Sequence, residues 1–348
     1  MAHFSSLNRH RQGRKLALLL ALAAMTVPFA RAQDVPAITG GIGFLTITNG
    51  GDTTFVPIVS PALVAPLGNH LLVESRATIA SSIFPRTHNG YDHNTFLGLS
   101  YLQADVIASR HLTIVPGYFI TPFATYNERL TPIWISNFVS APLIYSLGNF
   151  GSGSSLGGML RGSAYSNSNV NISYTGYFSA ASTNQQFNAD RSAGGRVSVY
   201  LPNSRLEVGA SYGRLLQNTH ENFSGVHVWW EPADTHLQIR SEWARGPHVN
   251  GYWIETAYRL SAFGGEGSFV GRFEPVFRMQ QTFRSRPDSE DGLPSTNTQL
   301  PDFGLVYHLP HEVRILTSYS RQFSSTGNVN TWQTGIVYRF LFPAWRGK

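Results

Sequence analysis

Arg and Glu side chains alternate with apolar residues in several segments of the sequence. In Thr235–Arg245, Arg240 and Glu242 fall on one face of an extended chain, whereas Ile239 and Trp243 fall on the other. Successive side chains of a strand point to opposite faces, so this spacing makes one face charged and the other apolar. A charged face could select dissolved ions by their sign, or its Arg and Glu could pair and hold it rigid.

The same alternation predicts which charges line the interior if such strands close around water. The predicted inward charges are Glu74, Arg76, Arg196, Arg205, Glu207, Arg240, Glu242, Glu255, Arg259, Arg272, Glu274, Arg278, Arg314 and Arg339. Arginine outnumbers glutamate in this set, which predicts a slight preference for anions. The alternative, that neighbouring Arg and Glu pair across strands and cancel, stays open and is the favoured interpretation.

Other groupings that could do chemistry are weaker. His88, Asp92 and His93 could bind a metal in a predicted 81–95 loop, although an exposed polar loop is the favoured interpretation because no closed ligand set exists. A hydrolase would need a Ser beside a His on one strand face, and His236 has none. The Gly148–Gly158 run lacks the lysine of a phosphate loop, and the chain has no Cys. We therefore predict no catalytic residue, metal site or cofactor, and no enzyme.

The elements that position these charges are predicted to be membrane-crossing strands. The alternating segments are about ten residues long, which suits a tilted strand in a hydrocarbon core. Charged residues make up 13% of the chain and aromatic residues 13%, and a soluble domain has about twice that charge. The apolar faces are rich in aromatic residues, as at membrane interfaces. We predict an all-β fold, a transmembrane antiparallel up-and-down β-barrel.

Turn signals predict the strand count. Tight turns are predicted near Ser109–His111, Tyr165–Asn169, Leu201–Ser204, Glu231–Asp234, Phe263–Gly267 and His308–His311. Longer links are predicted at 121–154, 180–191, 214–222, 246–250, 281–298 and 323–330. This alternation gives 13 strands from Thr95 to Phe342. Ala37–Thr48, Thr53–Val59 and Leu71–Ala80 bring the prediction to about 16 strands with both termini periplasmic, the short Pro57-containing segment being the weakest.

The 121–154 link is predicted to fold into the barrel as a constriction loop. It is long and rich in Pro and aromatic residues, and such apolar content needs burial. Asn127, Glu128 and Arg129 would then face the pore. The alternative is a loop that caps the barrel mouth or contacts a second subunit.

The N-terminus is predicted to be a cleaved export signal over residues 1–32. Basic residues precede the apolar stretch Leu16–Val27, and Ala30-Arg31-Ala32 fits signal peptidase. Residues 33–348 would then form the barrel in the bacterial outer membrane. Five of the 26 basic residues precede residue 33 and all 20 acidic residues follow it, leaving 21 basic against 20 acidic. This near-neutral remainder predicts no nucleic-acid partner.

Around Val115–Leu130 (VPGYFITPFATYNERL) the chain resembles porins related to the phosphate-selective porin O and P family, with Ala124 where these porins often have Gly. Gly251–Leu260 and Phe303–Leu309 are similar to late strands of that group. The resemblance covers about a third of the chain. It implies a 16-stranded barrel, often a homotrimer, with a loop folded into the pore. It does not imply phosphate selectivity, because the family's phosphate binders rely on Lys and Arg clusters and no predicted strand here contains Lys.

The predicted function is that of an outer-membrane porin. Small hydrophilic solutes would diffuse passively through it, with a mild preference for anions from pore-lining Arg, and outer-membrane lipid would surround it. The main alternative is a plugged or narrow barrel that serves as a structural or partner-binding component of an envelope complex. A barrel enzyme acting on lipid is the weakest alternative.

Overall fold

The computed structural model describes residues 35–86, 90–148, 150, 152–217, 220–287 and 292–343. The predicted signal peptide and His88 lie outside the described residues. The described chain forms 16 strands: β1 (Ala37–Asn49), β2 (Asp52–Pro66), β3 (Leu71–Pro85), β4 (Tyr91–Ser109), β5 (Leu112–Ile120), β6 (Ser154–Ser166), β7 (Asn171–Ala180), β8 (Ser192–Leu201), β9 (Leu206–Leu215), β10 (Asn222–Trp230), β11 (Leu237–Arg245), β12 (Val249–Tyr258), β13 (Phe273–Arg284), β14 (Thr298–His308), β15 (Val313–Ser324) and β16 (Val329–Pro343).

Each strand pairs antiparallel with its neighbours in sequence, and β1 pairs with β16 to close the sheet. The closing register runs from Ala37 opposite Pro343 to Asn49 opposite Thr331. Closure leaves no unpaired strand edge, which a membrane-spanning sheet requires. The predicted up-and-down barrel of 16 strands is confirmed. We call the rim that holds Ala37 and Pro343 the termini rim, and the opposite rim the loop rim.

The two faces of the barrel wall are inverted relative to a soluble domain. Ile254 exposes 43% of its surface on the outside, while the adjacent Glu255 is 5% exposed on the inside. The same alternation places Trp243 and Phe277 outside and Arg278 inside. An outer surface made of exposed large apolar side chains is stable against acyl chains and not against water. Among the described residues, no helix has the length and apolarity needed to cross a bilayer.

Two connections and one strand differ from prediction. The predicted 81–95 loop is mostly strand, because β3 continues to Pro85 and β4 begins at Tyr91. The predicted tight turn at Phe263–Gly267 is instead a connection over 259–272, with a short helix (Ser261–Gly264) and a 3-10 turn (Val270–Arg272). Ser268 stabilises it by accepting a hydrogen bond from Gly271 N–H and donating one to the Gly265 carbonyl. The third difference concerns β2.

Strand β2 is longer than the predicted Thr53–Val59. Its Pro57 and Pro61 both fall where the register between β2 and β3 is interrupted. Proline has no N–H to donate to a ladder, so these gaps let the strand continue without an unsatisfied partner on that side.

A β-bulge in β4 changes which of its residues face inward. Arg76 of β3 is opposite Tyr101, whereas Ala77 is opposite Leu99, so Ser100 is an extra residue. As a result, residues three apart in β4, Gly98 and Tyr101, both face the lumen. Bulges commonly redirect side chains in this way.

Candidate functional site

The described residues of the connection between β5 and β6 (121–148, 150, 152 and 153) lie inside the barrel; we call this connection the inward loop. It contains a π-helical turn (Tyr126–Leu130) and a short α-helix (Tyr145–Gly148). Phe123 and Ile144 pack against inward residues of β11 and β12 such as Trp253. Phe138 packs against Val306 and other inward residues of the β13–β16 wall. The apolar content of this loop is therefore buried against the inner wall.

Glycines of the inner wall form sockets for these loop side chains. Each socket glycine faces one loop side chain, and the distance from a Cβ built on the glycine to that side chain is short: Gly41 to Trp134 2.5 Å, Gly213 to Phe150 2.4 Å, Gly225 to Phe123 3.1 Å, Gly251 to Ile144 2.4 Å and Gly304 to Phe138 2.9 Å. Any larger residue at these positions would displace a loop side chain. The wall is thus shaped to hold this loop in one place.

Replacing Gly304 with leucine is expected to displace the Phe138 ring and destabilise the folded barrel by about 1–3 kcal/mol, the usual cost of overpacking. The measurement is urea unfolding in detergent, followed by tryptophan fluorescence. Gly158→Leu is the control, because a Cβ at Gly158 meets nothing within 4 Å. Equal stabilities of the two variants would contradict the socket.

Arginines of the inner wall donate to backbone carbonyls of the inward loop. Arg196 donates to the Ala124 carbonyl. Arg314 Nη1 donates to the Trp134 carbonyl at 3.0 Å, and both Nη atoms of Arg278 donate to the Ser140 carbonyl at 3.1 Å. Because a buried carbonyl needs a hydrogen-bond donor, these guanidinium groups replace the water that the three carbonyls lose.

Acceptors of the wall satisfy the N–H groups of the same loop. Glu242 Oε1 accepts from Thr125 N, Tyr126 N and Thr125 Oγ1, each at 2.6 Å. Leu143 N donates to Gln280 Oε1 at 2.7 Å. Three donors on one carboxylate oxygen form a charge-assisted site, stronger than neutral hydrogen bonds. Glu242 is thus a fixed attachment point for the first turn of the loop.

Predicted inward charges on β11 to β15 form a buried network. Arg278 Nε donates to Asp302 Oδ2 at 2.8 Å. Glu255 lies 3.6 Å from Arg240 and 4.0 Å from Arg278, and it accepts from the amide of Asn137 in the loop at 3.1 Å. Asp302 was not predicted as an inward charge, although it has the right period in β14. The charges that were expected to face solutes are therefore paired with one another.

The remaining predicted carboxylates also have partners. Glu207 accepts from Arg129 at 2.8 Å and lies 3.3 Å from His227 Nε2. Glu274 lies 2.5 Å from His308 Nε2. Glu74 accepts from the Gln103 amide at 3.3 Å.

Four predicted inward arginines lie near the termini rim. Arg205 is exposed in the connection between β8 and β9, with a positive φ of 48°. Arg259 and Arg272 lie in the 259–272 connection, where Arg259 Nε donates to the Gly271 carbonyl at 3.0 Å. Their expected positions on strands are corrected, because β9, β12 and β13 begin or end short of them. Arg339 is exposed on β16, 3.8 Å from Glu312.

The three predicted pore residues of the loop differ in environment. Glu128 lies 2.8 Å from Arg196, and Arg129 pairs with Glu207. Burial acts to raise the pKa of the Glu128 carboxyl, but the charge and hydrogen bond of Arg196, together with the charges of Arg129 and Arg161, lower this pKa overall, which favours the ionised form. Asn127 is buried, and its Oδ1 has no hydrogen-bond partner among the described residues.

The inward loop leaves space on one side of the lumen. A cavity of about 390 Å³ lies between the loop and the inner faces of β2–β5. A second cavity of about 230 Å³ lies between the loop and Leu45 and Leu316 of the wall. Lining residues absent from the predicted set include Ile58, Ser60, Phe96, Tyr118, Thr131 and Tyr145. Ser60 could have been found from the period of β2, but Phe96 could not, because its inward direction depends on the bulge.

Metal ligands do not assemble in the described part of the chain. Asp92 and His93 lie at the start of β4, and His93 N–H donates to the Asp92 carboxylate at 3.0 Å. No group of three His, Cys, Asp or Glu residues that could hold a metal comes together within the described ranges.

Solved porins share this architecture. An anion-selective porin from Comamonas acidovorans has a TM-score of 0.54 at 10% identity, over 88% of this chain and 98% of that one. In-vitro folded OmpT, an outer membrane protein of Vibrio cholerae, has a TM-score of 0.58 at 9% identity, over 90% and 99%. The low pH structure of Pseudomonas putida OprB has a TM-score of 0.57 at 10% identity, over 88% and 93%.

At such identities the likeness concerns the fold. No protein-family model matches the chain, and no curated protein matches its sequence. The closed 16-strand barrel and its apolar outer surface define the class: the chain is a transmembrane β-barrel of the bacterial outer membrane, with the porin fold.

Proposed function

We propose that this barrel is a channel through which small hydrophilic solutes diffuse passively across the outer membrane. The observation that carries the proposal is the space beside the inward loop, where cavities of about 390 and 230 Å³ remain. Thr131, Ile133 and Tyr145 of the loop border both cavities. In this proposal the loop narrows the lumen, solutes pass along β1–β5, and both termini face the periplasm.

We further propose that this path mildly prefers anions. Arg76 is the formally charged residue among those that line the larger cavity. Arg196, Arg240 and Arg278 are held by carboxylates, so their charges contribute less. One uncompensated cation at a narrow point attracts anions over cations. Phosphate selectivity is not part of the proposal, because the strands of the barrel contain no lysine.

Single-channel recording in planar bilayers tests the proposal. The chain has no Cys, so a Thr131→Cys variant carries one thiol, in the wall of both cavities. We expect stepwise conductance, and we expect a bulky methanethiosulfonate reagent to reduce it in Thr131→Cys because the added group narrows the path. A potassium chloride gradient should give a reversal potential of the sign for anion preference.

Ser168→Cys is the matched control, because Ser168 is exposed in the connection between β6 and β7; its modification should leave conductance unchanged. Absence of conductance across preparations would overturn the channel and favour the plugged barrel. Reduced conductance in neither variant would place the path elsewhere, and a reversal potential of opposite sign would remove the anion preference.

A further inference from the structure

Arg76 differs from the other buried arginines of the inner wall. It is 7% exposed, and its Nη2 donates to Thr131 Oγ1 at 3.2 Å. Its guanidinium lies 5.3 Å from the ring centre of Tyr101. Among the described residues no carboxylate lies within 4.0 Å of it, whereas Arg196 has one and Arg278 has two. Burying a cation without a counter-charge destabilises the folded protein unless an anion binds beside the cation.

Glu74 and Asp105, the acids on β3 and β4 beyond the Arg76–Tyr101 pair, are engaged elsewhere. Asp105 pairs with Arg161 and accepts from the Gln103 amide at 3.2 Å. Gln103 also donates to Glu74, so these residues form a separate cluster toward the termini rim. The vacant side of Arg76 faces the cavity of about 390 Å³, which it lines. An anion in that cavity would meet one guanidinium and no competing carboxylate among the lining residues.

The rest of the cavity wall has two kinds of surface. Hydroxyls of Ser60, Thr78 and Thr131 lie on the polar side, and Asn127 joins them. The Asn127 Oδ1 has no hydrogen-bond partner among the described residues. The amide could therefore rotate to present its NH₂ group to an anion without breaking a hydrogen bond of that oxygen. The apolar side consists of Ile58, Phe96, Leu99, Ile120 and Ile133. Phe96 is 61% exposed, so this side includes an aromatic ring that is largely uncovered.

We propose that this cavity is a binding site for a small monoanion with an apolar body, of the class of short-chain aliphatic carboxylates. The inference rests on the proposed channel and names its preferred solute. One guanidinium matches one carboxylate, and the volume falls in the range of small-molecule sites. An apolar tail is stabilised against the Ile and Phe side chains, which inorganic anions such as chloride or phosphate cannot use.

The test is inhibition of chloride current in planar bilayers by acetate, butyrate and hexanoate. We expect saturable inhibition whose half-maximal concentration falls about two- to fourfold per added methylene, as burial of each group requires. Arg76→Gln should weaken inhibition by hexanoate about tenfold or more, because a charge-assisted pair is lost. Arg205→Gln, at an exposed rim position outside the cavity, should leave inhibition unchanged.

Phe96→Ser separates the two parts of the site and changes a side chain that is 61% exposed. We expect it to flatten the chain-length dependence and to keep the inhibition by acetate. Equal inhibition by acetate and hexanoate, or equal inhibition in Arg76→Gln and the native chain, would overturn the inference while the channel stands. Lack of any conductance would instead remove the proposed channel itself.

Discussion

Replacing Arg278 with methionine is expected to destabilise the folded barrel by about 3–5 kcal/mol, the cost of leaving a buried partner charge uncompensated. Arg278 and Asp302 are both 0% exposed, and their side chains are joined at 2.8 Å. The same guanidinium holds the Ser140 carbonyl and lies 4.4 Å from the centre of the Phe138 ring. The variant therefore loses the ion pair with Asp302, three hydrogen bonds to Ser140 of the loop and a cation–π contact. Urea unfolding in detergent, followed by tryptophan fluorescence, measures the loss.

A double variant, Arg278→Met with Asp302→Leu, should recover a large part of that loss. Removing both partners leaves no buried charge in need of the other, and Glu255 retains Arg240 at 3.6 Å. Arg339→Met is the surface control, because Arg339 and Glu312 are exposed, and it should cost about 1 kcal/mol or less. A single variant as stable as the native chain, or a double variant weaker than the single one, would refute the role of Arg278.

The barrel could be predicted because its main determinant is local. The alternation of Ile254 with Glu255, and of Phe277 with Arg278, follows directly from a strand with lipid on one side. Turn signals predicted 13 of the sixteen strands, and the alternating pattern with the parity of the strand count predicted the three strands upstream. The connection at 259–272 was not, because Ser268 closes it by hydrogen bonds that no turn motif announces.

The contacts of the inward loop could not be predicted from the sequence, for a different reason. Arg196, Arg278 and Arg314 bind backbone carbonyls, and backbone groups carry no sequence signature. From the sequence, the excess of Arg over Glu was expected to favour anions. In the structure, these three arginines hold the inward loop. The glycine sockets did leave a signal: Gly251 has the same parity in β12 as Glu255, which marks it as an inward position.

The bulge in β4 shows a second limit. One extra residue, Ser100, reverses the inward face of the strand, so period two alone predicts the wrong direction for Phe96 and Gly98. The contribution of Phe96 and Gly98 to the lining of the larger cavity follows from that reversal. Which residues of β4 face the cavity is therefore set by how β4 pairs with β3, and the composition of either strand alone does not reveal it.

Replacing Glu242 with glutamine is expected to loosen the first turn of the inward loop by about 1.5–3 kcal/mol, the contribution of hydrogen bonds to a charged group. The carboxylate accepts from Thr125 N, Tyr126 N and Thr125 Oγ1 through Oε1, and from Trp253 Nε1 through Oε2 at 3.2 Å. A glutamine has one oxygen and one NH₂ group, so the NH₂ group would face an N–H or O–H donor that the carboxylate now accepts from. Hydrogen exchange at the Thr125 and Tyr126 amides should accelerate about ten- to hundredfold.

The same loosening should appear in single-channel records as increased open-channel noise, because Tyr126 begins the turn that carries the loop into the lumen. Glu231→Gln is the matched control: Glu231 accepts from Trp229 Nε1 at 2.8 Å near the termini rim and does not contact the inward loop. It removes the same charge from the barrel and should leave both exchange and noise unchanged. If Glu242→Gln and Glu231→Gln behaved alike, the loop would be held by its apolar contacts with the wall, and Glu242 would contribute only charge.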